Sequence, residues 1–312
     1  MTGSRVVSMG HYQPPKVLTN DDLAQRIETS DEWIRSRVGI ETRHVAGPDE
    51  TVDFMAAQAG KNALDRGGVA PDDIDLVLVA TCTAIDRSPN TAARVAAQLG
   101  IRGAATLDIN VACSGFSHAL ATADHTIQAG SATRALVIGS EKLSDFTDWD
   151  DRTTCVLIGD GAGAAVVEAA PDSQISPVVW GAVPELSNAV RIEGVSGTFQ
   201  QEGQSVYRWA TTQLPAIARS VCDKAGVAPE ELGAVVLHQA NLRIIEAFVK
   251  RLGAGNAYIA RDVVESGNTS AASIPLALSK ALERGDIPSG APALLFGFGG
   301  GLAYAGQVIR CP

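Results

Sequence analysis

The stretches "GGVAPDDIDLVLVATCT" (residues 67–83) and "AGVAPEELGAVVLHQAN" (225–241) carry the same local pattern twice. In each, a glycine ends a helix, a Pro-acidic turn follows, and a short apolar run reads as a strand covered on both faces. Downstream, "ACSGFSHALATADHTIQAG" (112–130) is matched by "GNTSAASIPLALSKALERG" (267–285), each a small-residue opening, an apolar helix and a terminal glycine. Near the end of each half, "RALVIGSEK" with "GDGAGAAVVEAA" parallels "PALLFGFGG" with "GLAYAGQVIR", two apolar strands with glycine-rich connections. Three echoes in one order imply a duplication. Each half reads strand, helix, strand, helix and two strands, an α/β organisation whose boundary near Ala170–Pro171 separates residues 1–170 from 171–312. Neither half is expected to stand alone, because the matched apolar helices can stack between two sheets. In that layout Cys113 and Asn268 occupy equivalent helix starts and face each other across a pseudo-twofold axis.

Composition narrows the function. The 312 residues are 46% hydrophobic but only 5% aromatic, with 31 glycines, which fits a Val, Ala, Ile and Leu interior with tight turns. A formal charge of −10 and a pI near 5.0 argue against general nucleic-acid binding, which needs a basic footprint. No apolar run reaches bilayer length and "MTGSRVVSMGHYQPPK" lacks a signal-peptide apolar region, so the expected location is cytoplasmic, without membrane contact. The cysteines at 82, 113, 155, 222 and 311 form no C-x-x-C pair. Neither a zinc site nor a disulfide framework is expected, and a functional cysteine is more readily a nucleophile than a metal ligand.

"DINVACSGFSHAL" (108–120) puts Cys113 on a strand-to-helix turn. Unpaired N–H groups and the macrodipole at a helix start favour an anion, here a thiolate. A merely buried thiol fits the turn as well. His238 ends the strand "GAVVLHQAN" and Asn268 opens the helix after "VESGNTSAAS". Alone, the first could be structural and the second only a helix cap. Together with Cys113 they supply a nucleophile, a neutral donor or base, and an amide donor at strand and helix ends.

The motifs "VACSGF", "GDGAGAAVV", "HQANLRII", "GNTSAASIPLAL" and "GFGGGLAYAG" resemble those of β-ketoacyl-acyl carrier protein synthase III, the initiating condensing enzyme of type II fatty acid synthesis. "TSDEWIRSRVGIETRH" (29–44) resembles that family's coenzyme A segment. The resemblance implies a thiolase-like five-layered αβαβα fold of two duplicated halves, normally a homodimer. It implies that Cys113 takes an acyl group from acyl-CoA as a thioester and that malonyl-acyl carrier protein then enters and decarboxylates. His238 and Asn268 meet the enolate, the backbone N–H groups of Cys113 and Gly300 form an oxyanion hole, and no metal or resident cofactor takes part.

By the same resemblance, Trp33, Arg37, Arg152 and Asn241 bind coenzyme A. Arg208, Arg243, Lys250 and Arg251 suit docking of an acidic carrier protein. Ser88 stands where many relatives carry a phenylalanine that walls the primer pocket, which suggests room for longer or branched primers. The segment 181–204 is shorter than in many relatives. Two other readings are an acyltransferase on the same fold that passes the acyl group on without decarboxylation, and a non-catalytic ketosynthase partner subunit. An intact His238 and Asn268 argue against the first, and Cys113 against the second.

Overall fold

The computed structural model describes residues 3–194 and 196–312. Strands β1 (Gly3–Tyr12), β2 (Leu76–Ala80), β3 (Ala105–Ile109), β4 (Arg134–Glu141) and β5 (Gly161–Ala170) form one sheet in the order β1-β5-β4-β2-β3. Strands β6 (Val179–Ala182), β7 (Ala234–Leu237), β8 (Tyr258–Ile259), β9 (Pro292–Gly299) and β10 (Ala303–Arg310) form a second in the order β6-β10-β9-β7-β8. The second order repeats the first strand for strand. In each sheet the three strands farthest from the first run parallel and the other two pairings are antiparallel.

Eight longer helices are α1 (Asp31–Val38), α2 (Val52–Gly67), α3 (Thr91–Leu99), α4 (Gly115–Gln128), α5 (Gly203–Thr212), α6 (Leu214–Ala225), α7 (Leu242–Leu252) and α8 (Ser273–Arg284). Side-chain caps start several of them: Ser30 accepts from Trp33 N, Thr51 from Phe54 N and Asn90 from Ala93 N. Helices α2 and α3 cover the outer face of the first sheet, α6 and α7 that of the second, and α4 and α8 lie between the sheets. This is a five-layered αβαβα arrangement. The middle apolar cluster draws Leu120 and Phe116 from α4, Ile274 and Leu278 from α8, and Val137 and Leu295 from the two sheets. Parting the halves would expose such side chains, at about 1.5–3 kcal/mol each.

Two glycines allow α8 this close. A Cβ at Gly139 would lie 2.3 Å from Ala271 O, and one at Gly163 would lie 2.4 Å from Leu276 N. Among the described residues no helix is long and apolar enough to cross a membrane.

The structure corrects the pairing of the halves. Short turns at Ala112–Ser114 and Ser270–Ala272 precede α4 and α8, and each opens on a left-handed residue, Ala112 (φ 44°) and Ser270 (φ 47°). The strand pairs β2/β7 and β4/β9 keep that same offset along the chain. It matches Cys113 with Ala271 and Asn268 with Asn110, so Cys113 and Asn268 are not equivalent positions. Small residues at both helix starts hid this register, which the backbone turn fixes.

Candidate active site

Cys113 owes its position to strain and to a missing side chain. A non-glycine residue in the left-handed region costs about 1–3 kcal/mol, and Ala112 accepts that cost at the turn that places Cys113 at the start of α4. From the other half, the end of β9 presses against it: a Cβ at Gly299 would lie 2.6 Å from Cys113 Cβ and 2.8 Å from Sγ. The backbone N–H groups of Gly300 and of Cys113 itself reach the sulfur. The expected stabilised thiolate is not what results. Burial pushes the Cys113 thiol up to about 11, outweighing those N–H groups and the Ser270 hydroxyl, so the resting nucleophile is protonated.

His238 follows β7 directly, and its backbone N–H donates to Phe296 O at 2.9 Å. Its Nδ1 lies 2.8 Å from Ser273 Oγ, which also accepts from Gln239 N at 3.2 Å. The Ser273 hydroxyl has no other acceptor among the described residues, so its proton goes to Nδ1 and the imidazole N–H sits on Nε2. Among the described residues no carboxylate touches the ring, and burial pulls the His238 pKa down to about 3. The imidazole is therefore a neutral donor. Phe298, one residue before Gly299, packs its ring edge-on to His238 at 5.4 Å and links it to the Cys113 environment.

Asn268 is fixed by its backbone, which donates to Leu157 O at 2.7 Å and accepts from Gly159 N at 3.0 Å. Its Oδ1 accepts from Ser270 N at 2.9 Å, which leaves Nδ2 as a donor without a partner among the described residues.

Two cavities meet this constellation. One, of about 450 Å³, is lined by Cys113, Cys82, Leu143, Phe199, Ser270 and Gly300. The other, of about 540 Å³, runs from Trp33, Arg37, Tyr207 and Arg243 near the surface to the buried Asn268. Arg152 lies 4.9 Å over the Trp33 ring and Arg37 5.9 Å, while Arg243 lies 5.8 Å over Tyr207. Asn241 lines this channel while capping α7 through Arg243 N and donating to Arg37 O.

Other expectations fare differently. Ser88 is exposed on the loop between β2 and α3 and does not line the Cys113 cavity of its own chain. Arg208, Arg243 and Lys250 are exposed and make no ion pair among the described residues, whereas Arg251 donates to Thr211 O at 2.6 Å and ties α7 to α5. The 181–204 segment brings Val190, Arg191, Ile192 and Phe199 to the cavity wall through the short pairing of Val190–Arg191 with Gln200–Gln201. Sequence reasoning missed Glu141, Ser270 and Cys82, which cluster beside Cys113. The available signal was an acid closing the largely apolar strand "RALVIGSE".

Residues 107–184 match the family described as 3-Oxoacyl-[acyl-carrier-protein (ACP)] synthase III, and residues 222–311 its C-terminal part. The chain is 69% identical to "Beta-ketoacyl-[acyl-carrier-protein] synthase III 2" of Streptomyces avermitilis, with 100% of both chains covered. Its fold is similar to that of the priming β-ketosynthase from the R1128 polyketide biosynthetic pathway, with TM-score 0.97, 38% identity and coverage of 99% and 96%. A second similar structure is the 3-oxoacyl-[acyl-carrier-protein] synthase III of Aquifex aeolicus, with TM-score 0.95, 41% identity and coverage of 99% and 100%. The strained turn, the five layers and these likenesses lead to one conclusion: the chain belongs to the β-ketoacyl-acyl carrier protein synthase III family, thiolase-like condensing enzymes that initiate fatty acid or polyketide synthesis.

Proposed function

We propose that this enzyme acts as an acyltransferase in two stages, loading an acyl group from acyl-CoA onto Cys113 and then joining it to the malonyl unit of malonyl-acyl carrier protein. The observation that carries the reading is the pair of unspent donors beside a buried thiol. Asn268 Nδ2 lacks a partner among the described residues and the His238 proton sits on Nε2, so both are available to a thioester oxygen that becomes negative as carbon dioxide leaves. The carbanion equivalent then attacks the acyl-Cys113 carbonyl. The N–H groups of Cys113 and Gly300 receive the resulting oxyanion.

The channel from Trp33 to Asn268 suits the long pantetheine arm, with Trp33, Arg37, Arg152 and Asn241 holding coenzyme A. Arg208, Arg243 and Lys250, with Arg251 more tightly held, suit the acidic carrier protein at its mouth. No resident cofactor is needed, because thioester exchange and decarboxylation run on sulfur and hydrogen bonds. Five free thiols suit the reducing cytoplasm.

A homodimer is part of the proposal. The open edge strand β3 exposes Leu107 (48%), and the nearby loop exposes Ile85 (74%). Joined at that edge, a second copy would cover both and receive the Ser88 loop near its own cavity.

The test is intact-protein mass after mixing with a panel of acyl-CoAs, beside Cys113→Ala, followed by malonyl-acyl carrier protein. An adduct that requires Cys113 and discharges with carbon dioxide release as a β-ketoacyl product is expected. An adduct that discharges without carbon dioxide would overturn the condensation, and no adduct with any primer would overturn the nucleophile.

A further inference from the structure

Glu141 closes β4 as a fully buried carboxylate with no lysine, arginine or histidine paired to it among the described residues. Every group bonded to it is a neutral donor. Thr83 Oγ1 donates at 2.6 Å, Thr81 Oγ1 at 3.1 Å and Cys82 N at 3.1 Å to Oε2. Ser270 Oγ donates at 2.9 Å, Cys82 Sγ at 3.3 Å and Ala271 N at 3.4 Å to Oε1. These hydrogen bonds favour the charged carboxylate, while burial, the larger effect, raises its proton affinity above the ordinary value, so the group can both hold and give up a proton. Ser270, Cys82 and Cys113 line one cavity, in which the Ser270 hydroxyl lies 3.8 Å from Cys82 Sγ and also acts on the Cys113 thiol.

His238 is poorly suited to take the Cys113 proton, because burial leaves its imidazole a weak base. Building on the function proposed above, we infer that Ser270 and Glu141 form the proton relay for loading Cys113. The Cys113 S–H proton passes to Ser270 Oγ as the Ser270 hydroxyl proton passes to Glu141 Oε1. The sulfur bonds to the acyl carbonyl carbon, the carbon–sulfur bond to coenzyme A breaks, and the proton returns through Ser270 to the departing thiolate. Protons balance within the site.

One negative charge moves from Glu141 to Cys113, where two backbone N–H groups meet it, so no new charge is created in the buried site. Burial raises the thiols of both Cys82 and Cys113, the neighbouring carboxylate adds to that rise, and burial also raises the carboxylate's own proton affinity. Cys82 and Cys113 are the titratable groups facing it. Lys142, next in the chain, turns its Nζ to Gly47 O and Asp145 instead. Ser270 acts on the reacting sulfur, and Glu141 acts through Ser270 as a positioning residue.

The experiment separates loading from discharge. Acylation of Cys113 by acyl-CoA is followed by rapid quench and intact mass across pH. Discharge by malonyl-acyl carrier protein is then followed on protein loaded to completion by long incubation. Ser270→Ala and Glu141→Gln are expected to slow loading about a hundredfold and make it climb with pH as solvent base takes over, while discharge keeps its wild-type rate. Ser270→Gly, which suits the left-handed backbone at φ 47° and likewise lacks the hydroxyl, should lose loading as Ser270→Ala does, and this pair decides the matter should Glu141→Gln fail to fold. Unchanged loading in Ser270→Ala, or equal losses in loading and discharge with an unaltered pH profile, overturns the relay. A wild type that takes no acyl group refutes the function proposed above and the relay with it, whereas a wild type that loads beside equally fast variants refutes the relay alone.

Discussion

Replacing Gly299 with alanine tests whether the second half of the chain sets the position of the nucleophile. The backbone at Gly299 is extended, with φ 163°, so alanine brings no conformational strain of its own. The added methyl meets Cys113 Cβ at 2.6 Å and Sγ at 2.8 Å. Ordinary carbon contacts lie at about 3.5–4.0 Å, so Cys113 and the end of β9 must part by roughly 1 Å. Overpacking of this kind costs about 1–3 kcal/mol, and a displacement of about 1 Å at a reacting atom costs about a hundredfold in rate.

The assay is the loading rate of Cys113 by intact mass, normalised to folded protein from thermal unfolding. Gly306→Ala serves as the control, because its methyl collides with Phe296 Cδ2 at 2.4 Å in the outer layer instead. Both variants should lose comparable stability, and only Gly299→Ala should lose loading. A Gly299→Ala protein that loads at the rate of Gly306→Ala would refute the idea that this contact places the thiol.

The neutral His238 predicts a pH dependence of stability. Its folded pKa of about 3 lies below the unfolded value near 6.5, so the unfolded chain binds more protons and stability falls as pH drops from about 6.5 toward 3. Between pH 7 and pH 5 this amounts to about 2 kcal/mol, measured as the difference in denaturant stability slopes of wild type and His238→Gln. Equal slopes would contradict a neutral buried imidazole. Ser273→Ala removes the hydroxyl that fixes the imidazole tautomer, and should slow discharge by malonyl-acyl carrier protein about tenfold while loading is spared. Trp33→Ala should raise KM for acyl-CoA about tenfold with kcat nearly unchanged, and a fall in kcat alone would remove Trp33 from the binding role.

Much of the fold is legible because its signals are local. The apolar runs at 76–80 and 234–237, their Pro-acidic approaches and the glycines after α2 and α6 each depend on neighbours within one turn of chain. Cys113, His238 and Asn268 could be picked out because each sits where a strand or helix ends. Glu141 was overlooked because its partners, Thr81, Cys82, Thr83 and Ser270, come from the loop after β2 and from the other half. Ser88 was assigned to a pocket wall from its place in a motif, but it does not line the Cys113 cavity of its own chain.

The sequence by itself determined the two-fold repeat, the α/β class, and a thiol, an imidazole and an amide at element ends, since periodicity and turn chemistry are written residue by residue. Only the tertiary structure decided which residues of the two halves correspond, because that rests on the left-handed turns at Ala112 and Ser270. It also decided the protonation of the site. Helix-start chemistry alone points to a thiolate at Cys113, but removing that sulfur from water outweighs the local dipole, and the depth of burial is set by layers folding over it from both halves of the chain.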